Sequence, residues 1–526
     1  MEKQAAKRRE EDGSSSMDRI SNLPQPILHH ILSFLSQREA IQTCVLSKSW
    51  RYRGSTRPYF EFRERCFNAD KETFLSVMDK ILHRYHDQKI SVQKFLVEMS
   101  MVDSESISFL EKWIPLVILN KGVNTFILNF LSYTSAHFAL PSIVYKAEFL
   151  KELNLKRCKL SQLNPLDEVL FKHLQKLSLT YVYIADETFE KIMSSCPLIE
   201  YVNLEGCEGL KNIKVNKAHK LKNFDFDDYL ISKEEDGLSI EIDAPTVESI
   251  SIMGRTNWFH HHKNFPYLKC LHLENVRLST KSFDNFSFDY PCLEELELLF
   301  CHGFEEFRLL SRSIKHLTIA VDRSIKAAID ATNILHFGFI SNFLPSISFR
   351  TTSSKWKSRI HLMDYVDVHY DASSSFLKLN ELLKALSRSE ISLHIEDHPL
   401  VVPDTYTGFN KPVVVENLIF GGHSSSSFPT FLNCLFHICR PKKIGDESFL
   451  VEEIEWERED EQRAEFLCKN LLMEREMRRY FWQQDLEEVS MEAFDRNGKN
   501  GIPSRGQVCQ NVLCQTINSN KIFAFD

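Results

Sequence analysis

Apolar and polar residues alternate along most of the chain in a recurring six-residue figure: an apolar anchor, a second apolar residue at +3 and a third at +5. It reads VNTFIL from Val123, LKELNL from Leu150, LQKLSL from Leu174, IEYVNL from Ile199 and LKNFDF from Leu221. It continues as VESISI from Val247, LKCLHL from Leu268, LEELEL from Leu293, IKHLTI from Ile314 and ILHFGF from Ile334. Successive anchors lie 27, 24, 25, 22, 26, 21, 25, 21 and 20 residues apart. VQKFLV from Val92 and VENLIF from Val415 extend the series as end repeats. Alternation at +3 and +5 predicts a short strand with one buried face. A unit this short hides that face only by stacking on its neighbours, so the pattern predicts a solenoid.

Two further columns keep the same register. Pro197, Pro245, Pro266 and Pro291 each precede an anchor by two residues, where a proline is expected to end a helix and open the strand. Cys158, Cys207 and Cys301 each follow an anchor by eight. Strands stacked at about 4.8 Å would separate Cys158 from Cys207 by roughly 10 Å. A shared zinc needs sulfurs about 2.3 Å from the metal, so these thiols are structural.

A different pattern occupies the front of the chain, ISNLPQPILHHILSFLSQREAIQTCVLSKSW over residues 20–50. Asn22 is the expected N-cap, with Pro24 in the first turn. Ile27, Leu28, Ile31, Leu32, Phe34 and Leu35 follow at spacings that cover more than half of a helix circumference. A second helix from Gln37 carries Ile41, Cys44, Val45 and Leu46, with Trp50 shortly after. Helices this short bury too little surface to stand alone, so they either dock on the rest of the chain or form half of a core completed by another polypeptide.

Leu23-Pro24, then Ile31-Leu32-Ser33-Phe34-Leu35, then Val45-Leu46-Ser47-Lys48-Ser49-Trp50 together resemble an F-box motif. The chain departs from that motif after the tryptophan, where Arg51-Tyr52-Arg53-Gly54 lacks an apolar pair. The hexads with their cysteine turn positions resemble leucine-rich repeats. His437-Ile438-Cys439-Arg440-Pro441-Lys442, together with the charged stretch C-terminal to it, is similar to the FBD region of plant F-box/LRR proteins. In that stretch Ala464, Phe466, Leu467, Leu471, Met473 and Met477 suit a helix, and Val489, Met491 and Ala493 alternate as in a strand. The resemblance implies an α/β chain: a disordered tail at 1–16, a short all-α F-box at 17–60, a leucine-rich-repeat solenoid at 90–430 and a small α+β, FBD-like cap at 431–526.

What the resemblance implies about function is a substrate-recognition subunit of an SCF-type cullin–RING ubiquitin ligase. The F-box would grip the Skp adaptor, and through it the cullin and RING subunits, by Leu23, Pro24, Ile27, Leu28, Ile31, Leu32, Leu35, Val45, Leu46 and Trp50. The alternative within the same class is a scaffold that pairs with the adaptor and assembles no active ligase.

Residues at +2, +4 and +6 of each hexad alternate with the buried ones and are expected on the open, concave side. In the middle units these include Glu205, Asp225, Asp227, His272, Glu274, Glu295 and Glu297, an acidic face suited to a basic segment of a target protein.

Composition narrows the remaining classes. In 526 residues, 43% hydrophobic and 26% charged, the net charge is −8 and no long basic stripe occurs, which argues against nucleic acid. No apolar run is long enough to span a membrane, and the polar start MEKQAAKRREEDGSSS is not a secretory signal. Thirteen cysteines on such a chain read as reduced thiols of the cytoplasm or nucleus. DRNGKNGIPSRG from Asp495 has Lys499 and Gly506 where calcium ligands belong, and three adjacent residues such as His260-His261-His262 seldom converge on one ion. With no GxxxxGK[ST], GxSxG or HExxH either, no cofactor, metal or catalytic residue is expected.

Overall fold

The structure is a computed structural model. It describes residues 23–35, 37–43, 58–67, 70–100, 103–119, 122–132, 138–163, 167–216, 218–228, 238–258, 265–278, 289–303, 306–363, 372–396, 412–421, 434–446 and 488–489. The chain divides into two compact units, Met1–Val247 and Glu248–Asp526, and each contains a run of parallel strands.

In the first unit the hexads become strands because every second side chain has somewhere dry to go. Strands β1 (Tyr59–Arg63), β2 (Lys94–Met99), β3 (Thr125–Phe130), β4 (Glu152–Lys156), β5 (Lys176–Thr180), β6 (Tyr201–Glu205) and β7 (Asn223–Asp227) pair in chain order, all parallel. Register aligns the +3 residues: Phe60, Phe95, Phe126, Leu153, Leu177, Val202 and Phe224 stand opposite one another in turn. All seven are fully buried. The first three stack as rings, with centroids 5.2 and 5.4 Å apart. Each such side chain contributes about 1.5–3 kcal/mol, and only stacked neighbours make the burial complete.

The second unit repeats the plan through β8 (Ser249–Met253), β9 (Cys270–Glu274), β10 (Glu295–Leu299), β11 (His316–Val321), β12 (His336–Ser341) and β13 (Lys357–Leu362). It goes on through β14 (Glu390–Glu396), β15 (Val413–Gly421) and β16 (Cys439–Asp446). A two-residue strand, Glu488–Val489, pairs with Lys443–Ile444 of β16. The helix read over Ala464 to Met477, Met491 and Ala493, the 1–16 tail, His260-His261-His262 and the Asp495 loop lie outside the described residues.

The proline column differs from expectation. Each anchor N–H donates to the carbonyl three residues back: Ile199 to Cys196, Val247 to Ala244, Leu268 to Phe265 and Leu293 to Tyr290. Proline therefore sits at the second position of a four-residue turn, where its fixed φ is already correct. Among the described residues a helix, α5 (Asp186–Ser194), ends shortly before Pro197 and Asp289 is helical before Pro291, while strand Leu238–Asp243 precedes Pro245, so the ring starts the turn whatever comes before it. At the far end of the strand, the residue seven beyond the anchor takes a left-handed conformation at Arg157, Tyr181, Gly206, Gly254, Asn275 and Phe300. Its N–H then donates to the next strand, as Tyr181 does to Glu205 and Phe300 to Ala320, adding one ladder bond at the corner.

Helices occur where the hexad series is interrupted. In the first unit α1 (Gln25–Ser33) and α2 (Gln37–Gln42) precede β1. Helix α3 (Lys71–Asp87), capped by Asp70 accepting from the Thr73 N–H, and α4 (Ser104–Leu119) flank β2. The Trp113 indole of α4 donates to Asp79 of α3, 2.8 Å away. In the second unit α6 (Ala372–Ala385) lies between β13 and β14.

Candidate functional site

Three surfaces carry unusual chemistry. On the helical hairpin, Pro24 caps α1 and accepts from the Ile27 and Leu28 N–H groups; Asn22, the cap expected from sequence, lies outside the described residues. Leu28, Leu32 and Ala40 are fully buried against one another, with Leu23 and Leu35 packed on them. The one-turn spacing of Leu28 and Leu32 aims both at α2, so these two hold the hairpin together and are not on its surface. Ile27 is 46% exposed and Phe34 76%, with Ile31 half-buried between them. That i, i+4, i+7 series is an outward stripe distinct from the inward one. The His30 ring meets Phe34 edge-on at 4.9 Å. Val45, Leu46 and Trp50 lie outside the described residues.

The second surface is the outer face of the first ladder. Its strands alternate buried and part-exposed positions, and Glu205, Asp225 and Asp227 all stand on the part-exposed side. Register puts Asp227 directly opposite Glu205. The Thr180 hydroxyl donates to Glu205 at 3.3 Å. Burial raises the Asp225 carboxyl, offset in part by a hydrogen bond from Tyr201. Tyr201 is itself pushed up to about 12, mainly by burial and then by the Asp225 charge. Asp228, which the alternation did not single out, is held at about 6 by burial and the neighbouring Asp227 charge.

The third surface is the outer face of the second ladder. His272 stands opposite Glu297, and its Nδ1 lies 2.5 Å from that carboxylate while its Nε2 lies 3.8 Å from Glu274. The Cys270 thiol donates to Glu295 at 3.6 Å. Glu274 and Glu297 thus flank one imidazole, and Glu295 stands beside the Cys270 thiol two residues before it. Further along the same face His316 and His336 stack at 4.9 Å, and His361 and His394 at 4.1 Å, with Glu396 on His361. Burial, His361 and Arg359 push His394 down to about 4. The hexads from Ile314 and Ile334 carried the signal for His316 and His336 at their +2 positions. His361, His394 and Glu396 belong to strands with no hexad and left none.

Cys158, Cys207 and Cys301 are buried with thiols pushed up to about 12, chiefly by burial. Cys207 and Cys301 donate to the carbonyls of Leu179 and Leu273 at 3.4 and 3.3 Å. A neutral, walled-in thiol satisfies backbone and is no nucleophile. No helix among the described residues is long and apolar enough to cross a membrane.

Comparison with known proteins assigns two stretches of the chain. The F-box domain model matches residues 20–57. The model for the leucine-rich repeats of the FBD-associated F-box protein At5g56370 matches residues 110–262. F-box/LRR-repeat protein 25 of Arabidopsis thaliana is 31% identical over 213 residues, 40% of this chain and 77% of that protein. The F-box/LRR-repeat protein At3g59200 of the same plant is 31% identical over 252 residues, 44% of this chain and 45% of its own length. The F-box/FBD/LRR-repeat protein At1g13570 of that plant is 29% identical over 200 residues, 37% of this chain and 46% of its own. The chain thus spans about three quarters of the first relative and about half of the other two. With an F-box in front of a parallel ladder of leucine-rich repeats, the chain belongs to the plant F-box/LRR-repeat family.

Proposed function

We propose that this chain is a non-catalytic receptor subunit of an SCF-type cullin–RING ubiquitin ligase, binding the Skp adaptor through its F-box and a target protein through the outer face of its repeats. The observation that carries the reading is the outward stripe Ile27, Ile31 and Phe34 on a hairpin whose own core is already filled by Leu28, Leu32 and Ala40. The exposed residues are the ones left for a partner, and burying Phe34 alone is worth about 1.5–3 kcal/mol. The receptor then acts by positioning, raising the effective concentration of a target near an associated ubiquitin-conjugating enzyme. Glu205, Asp225 and Asp227 in one unit, and Glu274, Glu295 and Glu297 in the other, suit a basic segment of that target.

Co-purification with the adaptor and cullin tests the first half. Ile27→Asp with Phe34→Asp is expected to remove both partners while the repeats keep their unfolding transition; retained adaptor overturns the reading. If the wild type holds the adaptor but never the cullin, the chain is a scaffold without ligase. For the second half, Glu295→Lys with Glu297→Lys is expected to abolish capture of targets seen with wild type, and unchanged capture removes the acidic face from the proposal.

A further inference from the structure

We propose that His361, His394 and Glu396 form a binding site for a first-row divalent cation of the zinc type on the outer face of the second unit. The three residues owe their convergence to the ladder. Strands β13 and β14 are parallel and place His361 directly opposite His394. Glu396, two residues further along β14, points to the same face as His394 because side chains alternate along a strand. Ile360 and Leu362 on one strand and Leu393 and Ile395 on the other are buried on the opposite face, which fixes the outward direction of all three.

One donor atom from each residue lies within 4.8 Å of the other two. Donors sharing a tetrahedral ion at about 2.1 Å stand roughly 3.4 Å apart, so binding requires the two imidazoles to turn out of their 4.1 Å stack until both in-plane lone pairs meet at one point. Two imidazoles and one carboxylate are a common ligand set for such ions, and it leaves a fourth position for water or for a side chain of a bound protein. The other two histidine clusters on this face lack the set: His316 and His336 have two imidazoles side by side, and His272 has carboxylates around a single ring. The His361 and Glu396 side chains already hydrogen-bond each other, and His394 is only 3% exposed, so the strands bring the three donors together even without an ion. Arg359 is the opposing charge; it stands on β13 opposite Ser392, two residues before His361, and its field reaches His394.

The test uses the full, untagged chain carrying His260→Gln, His261→Gln and His262→Gln, so that the adjacent histidine run cannot contribute. Titration with cobalt(II) is expected to give tetrahedral visible bands that saturate at one cobalt per chain and disappear on adding zinc. His361→Gln and Glu396→Gln should each weaken binding by more than the roughly 10–100-fold that loss of an outer-shell partner costs. Arg359→Gln should tighten it, a gain that misfolding cannot mimic. Absence of the bands, or equal uptake in the His361 and Glu396 variants, overturns the site. Adaptor co-purification does not depend on these residues, so failure here leaves the receptor reading untouched.

Discussion

The repeat from Leu174 to Ile199 and those from Leu293 to Ile334 close the same kind of ladder by different return paths. The first spans 25 residues and comes back through α5, burying Thr188, Phe189, Ile192 and Met193. The others span 21 and 20 and come back through strands Glu306–Ser311 and Lys326–Ala331, which pair in parallel with each other and with Ser346–Arg350. Six extended residues cover about 20 Å and nine helical ones about 13.5 Å, so the strand closes a shorter loop. Length alone does not decide, because the 26-residue repeat from Leu221 to Val247 also returns as a strand, Leu238–Asp243. Pattern decides: there Ile240 and Ile242 are buried alternately, whereas α5 buries residues at helical spacing. The corner changes as well. Ladder strands β4 to β10 have five residues, and six of the seven are followed by a left-handed or glycine corner residue; β11 to β13 have six or more, and no positive φ follows them among the described residues.

The most damaging way to probe this contrast is to hollow out each return path. Phe189→Ala in α5 should cost about 3–5 kcal/mol and Ile329→Ala in the strand wall about 2–5, read from urea unfolding of the full chain. Both side chains are buried, 0% and 2% exposed. An Ile329→Ala cost below about 1 kcal/mol would mean that the strand wall is a cover and not part of the core.

Glycine corners come next. Gly209 and Gly303 each lie ten residues after an anchor, with φ of +91° and +97°. A Cβ on Gly303 would sit 2.0 Å from the Leu278 carbonyl oxygen, and one on Gly209 2.8 Å from that of Ile184. Gly303→Ala should therefore destabilise by about 3 kcal/mol and Gly209→Ala by about 2, strain and overlap acting together. The reverse order would show that the corner leading into the strand-backed repeats yields more readily than the earlier one.

A matched pair sharpens the comparison further. Asn275 and Val321 each stand seven residues after an anchor. Asn275 is left-handed, with φ of +57°. Val321 ends a six-residue strand and is 2% exposed. Asn275→Gly should be neutral or stabilising by up to about 1 kcal/mol, because relieved strain is set against a freer unfolded chain. Val321→Gly should cost about 2 kcal/mol or more through the lost side chain. Replacement by glycine at the same register is thus expected to be harmless in one repeat and costly in the other, as read by thermal unfolding.

These contrasts also mark what could be read in advance. Most of the ladder was legible because Leu, Ile, Val and Phe recur at +3 and +5. Strands β1, β13 and β14 escaped the pattern because their anchor or +3 positions hold Arg57, Ser358 and Arg388. Ser358 is buried all the same, and its hydroxyl shares a 2.6 Å hydrogen bond with Ser389, a contact made 31 residues away that no local pattern encodes. The strand wall was hidden too, since Phe307, Leu309, Ala327 and Ile329 alternate without anchors. At the front of the chain the composition gave an apolar helix but not its sides. Leu28 and Leu32 face inward, packed with Ala40 of α2, a pairing between two helices that the spacing within one helix does not encode.

The smallest expected effect concerns the pair His272–Glu297, which has no titrating counterpart in the strand-backed stretch, where the register continues through Thr318 and Gly338. The hydrogen bond that His272 donates to Glu297, aided by Glu274 and opposed by burial, raises His272 above its ordinary 6.5. Ser251 of β8, on the other side in register, carries no charge. The stabilisation from His272 is therefore fully present below about 6.5 and is lost as pH rises through the higher folded value. The same hydrogen bond lowers Glu297 below its ordinary 4.5, so its share is present above 4.5 and is lost as pH falls through the lower folded value. Together they predict a stability optimum for the wild type between about 4.5 and 6.5, where both groups are charged. Glu297→Gln should flatten that optimum in urea midpoints measured across pH, and Thr318→Val should leave it in place. A wild-type profile that keeps its shape in Glu297→Gln would mean the two charges are too well screened on this open face to matter.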